Sequence, residues 1–134
     1  VLEDQLVTHL KADTTVTAIA GTRIYDFGSV PQSVTLPHIT YQLVANNRIG
    51  MTMSGLAMSW KQHYQIDCWA PQAGSPSGSL VSKQLARVVR TSLNGIALPG
   101  EDDVTLVEWD DWRDLPEENW SRREMDFFFW TRDP

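Results

Sequence analysis

The chain has 134 residues, 42% hydrophobic and 21% charged. That is one domain's worth of apolar side chain and excludes an intrinsically disordered segment. A net charge of −6 excludes a protein that grips nucleic-acid phosphates over its whole surface, though it leaves room for one that sits near DNA. The one cysteine, Cys68, excludes an intrachain disulfide and a cysteine-rich metal site, so synthesis in a reducing cytoplasm is expected. Neither a signal peptide nor an apolar run long enough to span a membrane is found.

In chain order, Leu2, Leu6, Val7 and Leu10 form an apolar stripe that predicts a helix over 2–10. Asp13 caps a second short helical turn through Ala20, and Gly21 ends it. A short strand at 23–25 precedes a loop over 26–37, which carries Gly28, Pro31 and Pro37. Residues 38–44 alternate, with Ile39, Tyr41 and Leu43 on one face and His38, Thr40 and Gln42 on the other, as in a half-buried strand. The strand at 60–70 sends Tyr64, Ile66 and Cys68 one way and His63, Gln65, Asp67 and Trp69 the other. The segment between these strands, 45–59, is too long for a tight hairpin turn.

A Gly/Ser/Pro linker over 72–79 leads into a helix from about 77 to 93, whose apolar stripe is Leu80, Val81, Leu85, Val88, Val89 and Leu93. Asn94-Gly95 supplies its left-handed stop. Strands are expected at 104–111 and 121–132, joined by a polar turn around Pro116. The order α–β–β–β–α–β–β implies a single α+β domain over 1–134. Its largely antiparallel sheet of four or five strands has two main helices packed on one face.

Catalytic patterns are thin. His9, His38 and His63 lie on different elements without metal-ligand spacing to one another or to Cys68. His63 and Asp67 share a strand face, but four residues of strand put them ~13 Å apart, too far for a dyad. Cys68 falls on the expected core face with no partner base. The run 101–118 holds nine of the 17 acids: Glu101, Asp102, Asp103, Glu108, Asp110, Asp111, Asp114, Glu117 and Glu118. A Mg²⁺-dependent nuclease needs carboxylates converging on one point. These spread over two loops and a strand, the pattern of a solvated face. No cofactor and no metal are expected.

Two features ask for a partner. Residues 46–59 carry Ile49, Met51, Met53, Leu56 and Met58, adaptable apolar side chains in a candidate docking loop. The alternative is a hairpin folded back on the core. The second feature is the sheet face turned away from the helices, where Trp69, Phe128 and Trp130 stand among Gln65, Asp67 and Asp126. Large aromatics mixed with charge resemble an interface. Trp109, Trp112 and Trp120 are candidates to extend it, and mutual covering within one copy is the alternative.

Several stretches then fall into a familiar order: Leu2-Glu3-Asp4-Gln5-Leu6; Lys11-Ala12-Asp13 on to Gly21-Thr22-Arg23-Ile24-Tyr25; Pro31-Gln32; Leu36-Pro37-His38-Ile39-Thr40-Tyr41; Gln65-Ile66-Asp67-Cys68-Trp69-Ala70; Leu93-Asn94-Gly95; and Arg123 to Trp130. Nearly the whole length resembles the tail-completion family of long-tailed phages and related gene-transfer particles. That resemblance implies a virion protein without catalytic residues, made in the host cytoplasm and located at the head–tail junction. It implies a ring, usually of six copies, on the head-proximal end of the tail tube. Such a ring stops tube polymerisation and meets the head connector or stopper while DNA passes through. The partners implied are further copies of the chain, the tail tube protein and the connector, with no membrane. Within that frame Glu101, Asp102, Asp103, Asp110, Asp111, Glu117 and Glu118 are candidates to face the lumen, where like charge keeps DNA sliding. The methionine-rich segment and the acidic turn match no family motif. A different neck component, such as a stopper, is the nearest alternative. A metal-dependent nuclease is the alternative from another class, and a small adaptor outside phage biology is the third.

Overall fold

Leucines every fourth residue build the first layer: Leu2, Leu6 and Leu10 are buried along one side of α1 (Leu2–Ala12). The Asp13 carboxylate accepts from the Thr15 N–H at 2.9 Å and so opens α2 (Thr14–Ala20). Gly21, at φ 60°, closes it with its N–H on the Thr17 carbonyl. The computed structural model describes residues 2–31, 35–51, 57–71, 78–98, 104–116 and 120–131, with the backbone alone for 47–51, 57–59, 78–79 and 116.

Beyond α2 come β1 (Ile24–Asp26), a 3₁₀ turn at Phe27–Ser29, β2 (His38–Met51), β3 (Ala57–Pro71), α3 (Gly78–Leu93), β4 (Val104–Pro116) and β5 (Trp120–Thr131). The five strands form one sheet in the order β1-β2-β3-β5-β4. β1 runs parallel to β2, and every other pairing is antiparallel. The fold is α+β, and the expected pair of helices on one face is joined there by the short α2. Gly95, at φ 81°, follows α3 as the Asn94-Gly95 signal predicts.

The core lies between the helices and one face of the sheet. Leu85, Ala86, Val89 and Leu93 of α3 meet Ile66, Cys68, Met125, Phe127 and Phe129, all buried. Tyr64 packs its ring edge-on to Phe129 at 5.3 Å and donates its hydroxyl to Glu3 at 3.3 Å, which ties α1 to β3.

Three expectations change. Residues 45–59 are mostly strand: Asn46↔Gln62, Arg48↔Trp60 and Met51↔Ala57 are paired, so the connection shrinks to 52–56, outside the described residues. Backbone pairing with β3 there outweighs the poor strand propensity of Asn46, Asn47 and Gly50. The polar turn at 113–120 shrinks likewise, because Arg113, Asp114, Leu115 and Pro116 pair with Glu124, Arg123, Arg122 and Ser121. Arg123 grips Asp114 with two hydrogen bonds, 2.7 and 3.1 Å, across that hairpin. Finally, His38 and Thr40 are buried, so the start of β2 is covered on both faces.

Burial decides what each apolar side chain contributes. Phe127→Ala should destabilise the chain by about 3–5 kcal/mol. Val44→Ala, at a position 51% exposed, should change stability by less than about 0.5 kcal/mol. Urea midpoints of the two variants check this contrast.

Candidate functional site

The sheet face turned away from the helices is read from strand register. Residues directly opposite across two strands share a face, so successive rows cross the sheet from β2 to β4. The first is His38, Trp69, Arg122, Leu115; the second Thr40, Asp67, Glu124, Arg113; the third Gln42, Gln65, Asp126, Asp111. The fourth is Ala45, His63, Phe128, Glu108, and the fifth Lys61, Trp130, Leu106. Two aromatic patches therefore flank a charged belt.

At one end, Trp69 stacks on His38 with ring centres 5.7 Å apart and meets Trp120 edge-on at 5.9 Å. The Arg122 guanidinium lies 4.8 Å over the Trp69 ring, and the Trp69 indole N–H donates to Thr40 at 3.0 Å. At the other end, Lys61 Nζ lies 3.9 Å over Phe128 and 5.3 Å from the Trp130 ring centre. The Trp130 indole donates to Glu108. Each of Trp69, Phe128 and Trp130 is half-buried with partners inside the chain. Of the three further tryptophans, Trp120 extends this face. Trp109 and Trp112 do not: they pair with Phe127 and Met125 and stand on the helix side. A β-bulge between Trp109 and Asp111 adds a residue, so two side chains three apart share one face.

The belt holds Asp67, Glu124, Asp126 and Asp111. Arg113 meets Glu124 at 3.0 Å, Arg122 lies 3.7 Å from Asp67, and His63 meets Asp126 at 2.9 Å. The His63–Asp126 pair joins β3 to β5, a contact that spacing along one strand cannot reveal. Burial pushes the Asp67 carboxyl up to about 6, against the opposing hydrogen bonds from Gln65 and the charge of Arg122. Burial, with help from the Arg23 charge, pushes His38 down to about 4. Cys68 lies on the opposite, core face, and burial pushes its thiol well above the ordinary range. No nucleophile accompanies the His63–Asp126 pair among the rows above.

Among the described residues no group of three His, Cys, Asp or Glu is placed to hold a metal ion, and no helix is long and apolar enough to cross a membrane. Of the residues singled out from sequence, Asp110 and Asp111 are exposed on β4. Ile49 and Met51 lie in the last three residues of β2, and Met58 is the second residue of β3. Met53, Leu56, Glu101, Asp102, Asp103, Glu117 and Glu118 lie outside the described residues.

The family described as tail completion protein gp17 matches residues 4–132. A solved chain from the virion of a native gene transfer agent particle has the same fold, with a TM-score of 0.76. The match covers 97% of this chain and 93% of that chain at 19% identity. No curated protein matches the sequence.

Asp67 and His38 titrate with opposite effect on stability. The folded state raises the Asp67 pKa, so its contribution is present below pH 3.8 and is lost as pH rises through about 6. The folded state lowers the His38 pKa, so its contribution is present above pH 6.5 and is lost as pH falls through about 4. Each is on the order of 3 kcal/mol. Between about pH 4.5 and 6.5 the two should largely cancel. Asp67→Asn should therefore lose stability on acidification across that window, and His38→Phe should gain it. Denaturant midpoints of both variants and the parent at the two ends of the window measure this.

Proposed function

The chain belongs to the tail completion protein gp17 family and is a structural protein of phage-type tails, and from that premise we propose that it forms the ring capping the head-proximal end of the tail tube. In this role it terminates tube growth and joins tail to head by contacts alone, without catalysis. The observation that carries the reading is the hairpin arm. Among the described residues β5 pairs with β3 as far as Trp60↔Thr131, while β2 and β3 continue together to Met51↔Ala57. A two-stranded ribbon is marginal in water by itself and gains stability when it packs on something. Its tip is rich in methionine and branched apolar residues, the composition of an adaptable contact surface.

A closed ring built from one chain needs two different patches that meet head to tail. The arm, with Ile49, Met51, Met53, Leu56 and Met58, is one patch. The aromatic ends of the sheet face, with Trp69, Phe128 and Trp130, are the surface it meets on the next copy. Asp110, Asp111, Glu117 and Glu118 of the β4 edge and its following turn face the lumen and repel the passing phosphates.

Deleting residues 48–57 should leave a monomer with an unchanged circular dichroism spectrum that no longer caps tail tubes under negative-stain imaging. Loss of folding would instead assign the arm to the core, and parent rings seated on head connectors would favour the stopper role. Asp110→Lys/Asp111→Lys should slow DNA ejection from assembled particles, while an unchanged ejection rate would put these side chains outside the lumen.

A further inference from the structure

A cleft runs between α3 and the β4–β5 hairpin on the helix side of the sheet. Lys83, Arg87 and Arg90 of α3 line one wall, and Trp109, Trp112 and Arg123 line the other, around a volume of about 280 Å³. Arg90 lies 4.9 Å over the Trp109 ring, and Arg123 lies 4.0 Å over Trp112. Four of the chain's 11 cations thus converge on one cleft of an acidic protein. Arg123 already holds a carboxylate, that of Asp114, whose pKa is depressed by this pairing. Among the described residues Lys83, Arg87 and Arg90 form no salt bridge. The Trp109 indole nitrogen is buried without a hydrogen-bond acceptor.

We propose that this cleft is a carboxylate seat that receives the Glu101-Asp102-Asp103 run of a second copy of the chain. The inference rests on the ring reading and gives that ring its second contact. It also assigns these three acids to a neighbour's surface, leaving the lumen to the other acids of β4 and its turn.

Three observations point to this occupant. The cleft's own chemistry is carboxylate recognition, as the two-pronged Arg123–Asp114 contact demonstrates. The run 101–103 is the one place where three acids are consecutive in the sequence. Lys83 and Arg90 stand seven residues apart on a helix, ~10 Å. An extended three-residue run spans ~7 Å between its outer Cα atoms, and side-chain reach makes up the difference.

Position supplies the directionality. Within one copy the run lies between Leu98 and Val104, which bridge to each other at the start of β4. Val104 stands five residues from Trp109, roughly 16 Å along the strand, and the cleft extends from Trp109 the other way, toward Asp114. Val104, the residue that follows the run in sequence, is thus displaced from the cleft along each copy, the arrangement a head-to-tail contact needs. Copies that each carry a net charge of −6 repel unless opposite patches meet.

The test is self-association of the full-length chain by analytical ultracentrifugation at low and high salt. The parent should associate, more weakly as salt rises. Arg87→Glu/Arg90→Glu and, separately, Glu101→Lys/Asp102→Lys/Asp103→Lys should each weaken association by at least ~100-fold with unchanged melting temperature. Combining the two sets in one chain should restore association. Parent chains that stay monomeric would overturn the ring reading and this inference together. Parent association that survives Arg87→Glu/Arg90→Glu, or a combined variant that fails to recover, would overturn the inference alone. Fluorescence anisotropy with a duplex oligonucleotide covers the other anion: DNA binding abolished by Arg87→Glu/Arg90→Glu, with association intact, would make the cleft a phosphate site and overturn the proposal. The milder Lys83→Ala/Arg87→Ala should weaken association in the same direction, which keeps the test valid should the charge reversals unfold the chain.

Discussion

The register of β3 against β5 is the constraint on which the rest of the molecule depends. The two central strands pair without a bulge from Trp60↔Thr131 to Pro71↔Trp120. Side chains alternate, so one register choice decides both faces at once. It sends Tyr64, Ile66, Cys68, Met125, Phe127 and Phe129 into the core and Lys61, His63, Asp67, Trp69, Arg122, Glu124, Asp126 and Phe128 to the far side. A slip of one residue would bury a row of charges under the helices and expose Phe127 and Phe129. Burying unpaired charge is far more costly than any gain at the edges, so the alternative registers are excluded.

The far face has its own internal logic. Its charges are partly desolvated yet arranged in cross-strand pairs: Arg113 with Glu124, Arg122 with Asp67, His63 with Asp126. Two groups on this face are pushed in opposite directions by the same cause, burial: Asp67 toward its neutral form and neutral His38 away from its charged form. Both shifts favour an uncharged side chain near the Trp69 patch. At neutral pH Asp67, at about 6, is nonetheless ionised beside Arg122 while His38 is neutral, so the Trp69 patch carries one ion pair beside its rings.

Much of this was legible in the sequence, and the limits have physical causes. The alternation in 60–70 and 121–132 revealed which side chains share a face, because those strands are long, unbulged and half apolar. The stripe of α3 and its Asn94-Gly95 end were equally plain, and the ordered motifs pointed to the family that matches residues 4–132. Strand ends were not legible. At 46–51 and 113–116 the residues carry little strand propensity, and pairing with an already placed neighbour holds them there. Trp109 and Trp112 are candidates for the far face by sequence because nothing in a single strand announces a bulge. The His63–Asp126 contact and the basic cleft both need residues distant in sequence, which only register and packing bring together.

The edges of the sheet show where the fold is finished and where it is not. The outer edge of β4 is closed over its first half: Gly95 N–H donates to Val107 at 2.7 Å, Val107 N–H to Ile96 at 2.8 Å, and Trp109 N–H to the Asn94 side chain at 3.0 Å. The short segment after α3 thus does the work of a sixth strand and blocks pairing there. On the opposite edge, β1 pairs with residues 39–41 of β2, and β2 continues ten residues further without another strand beside it among the described residues. A long open edge that runs straight into the protruding arm is a liability for a monomer, since it invites pairing with other chains. Under the proposed ring role, the same edge is an available surface for strand addition, with affinity supplied by backbone hydrogen bonds and selectivity by the side chains of the arm. Among the described residues the fold therefore closes one edge locally and leaves the other open, and the proposed assembly is what would complete it.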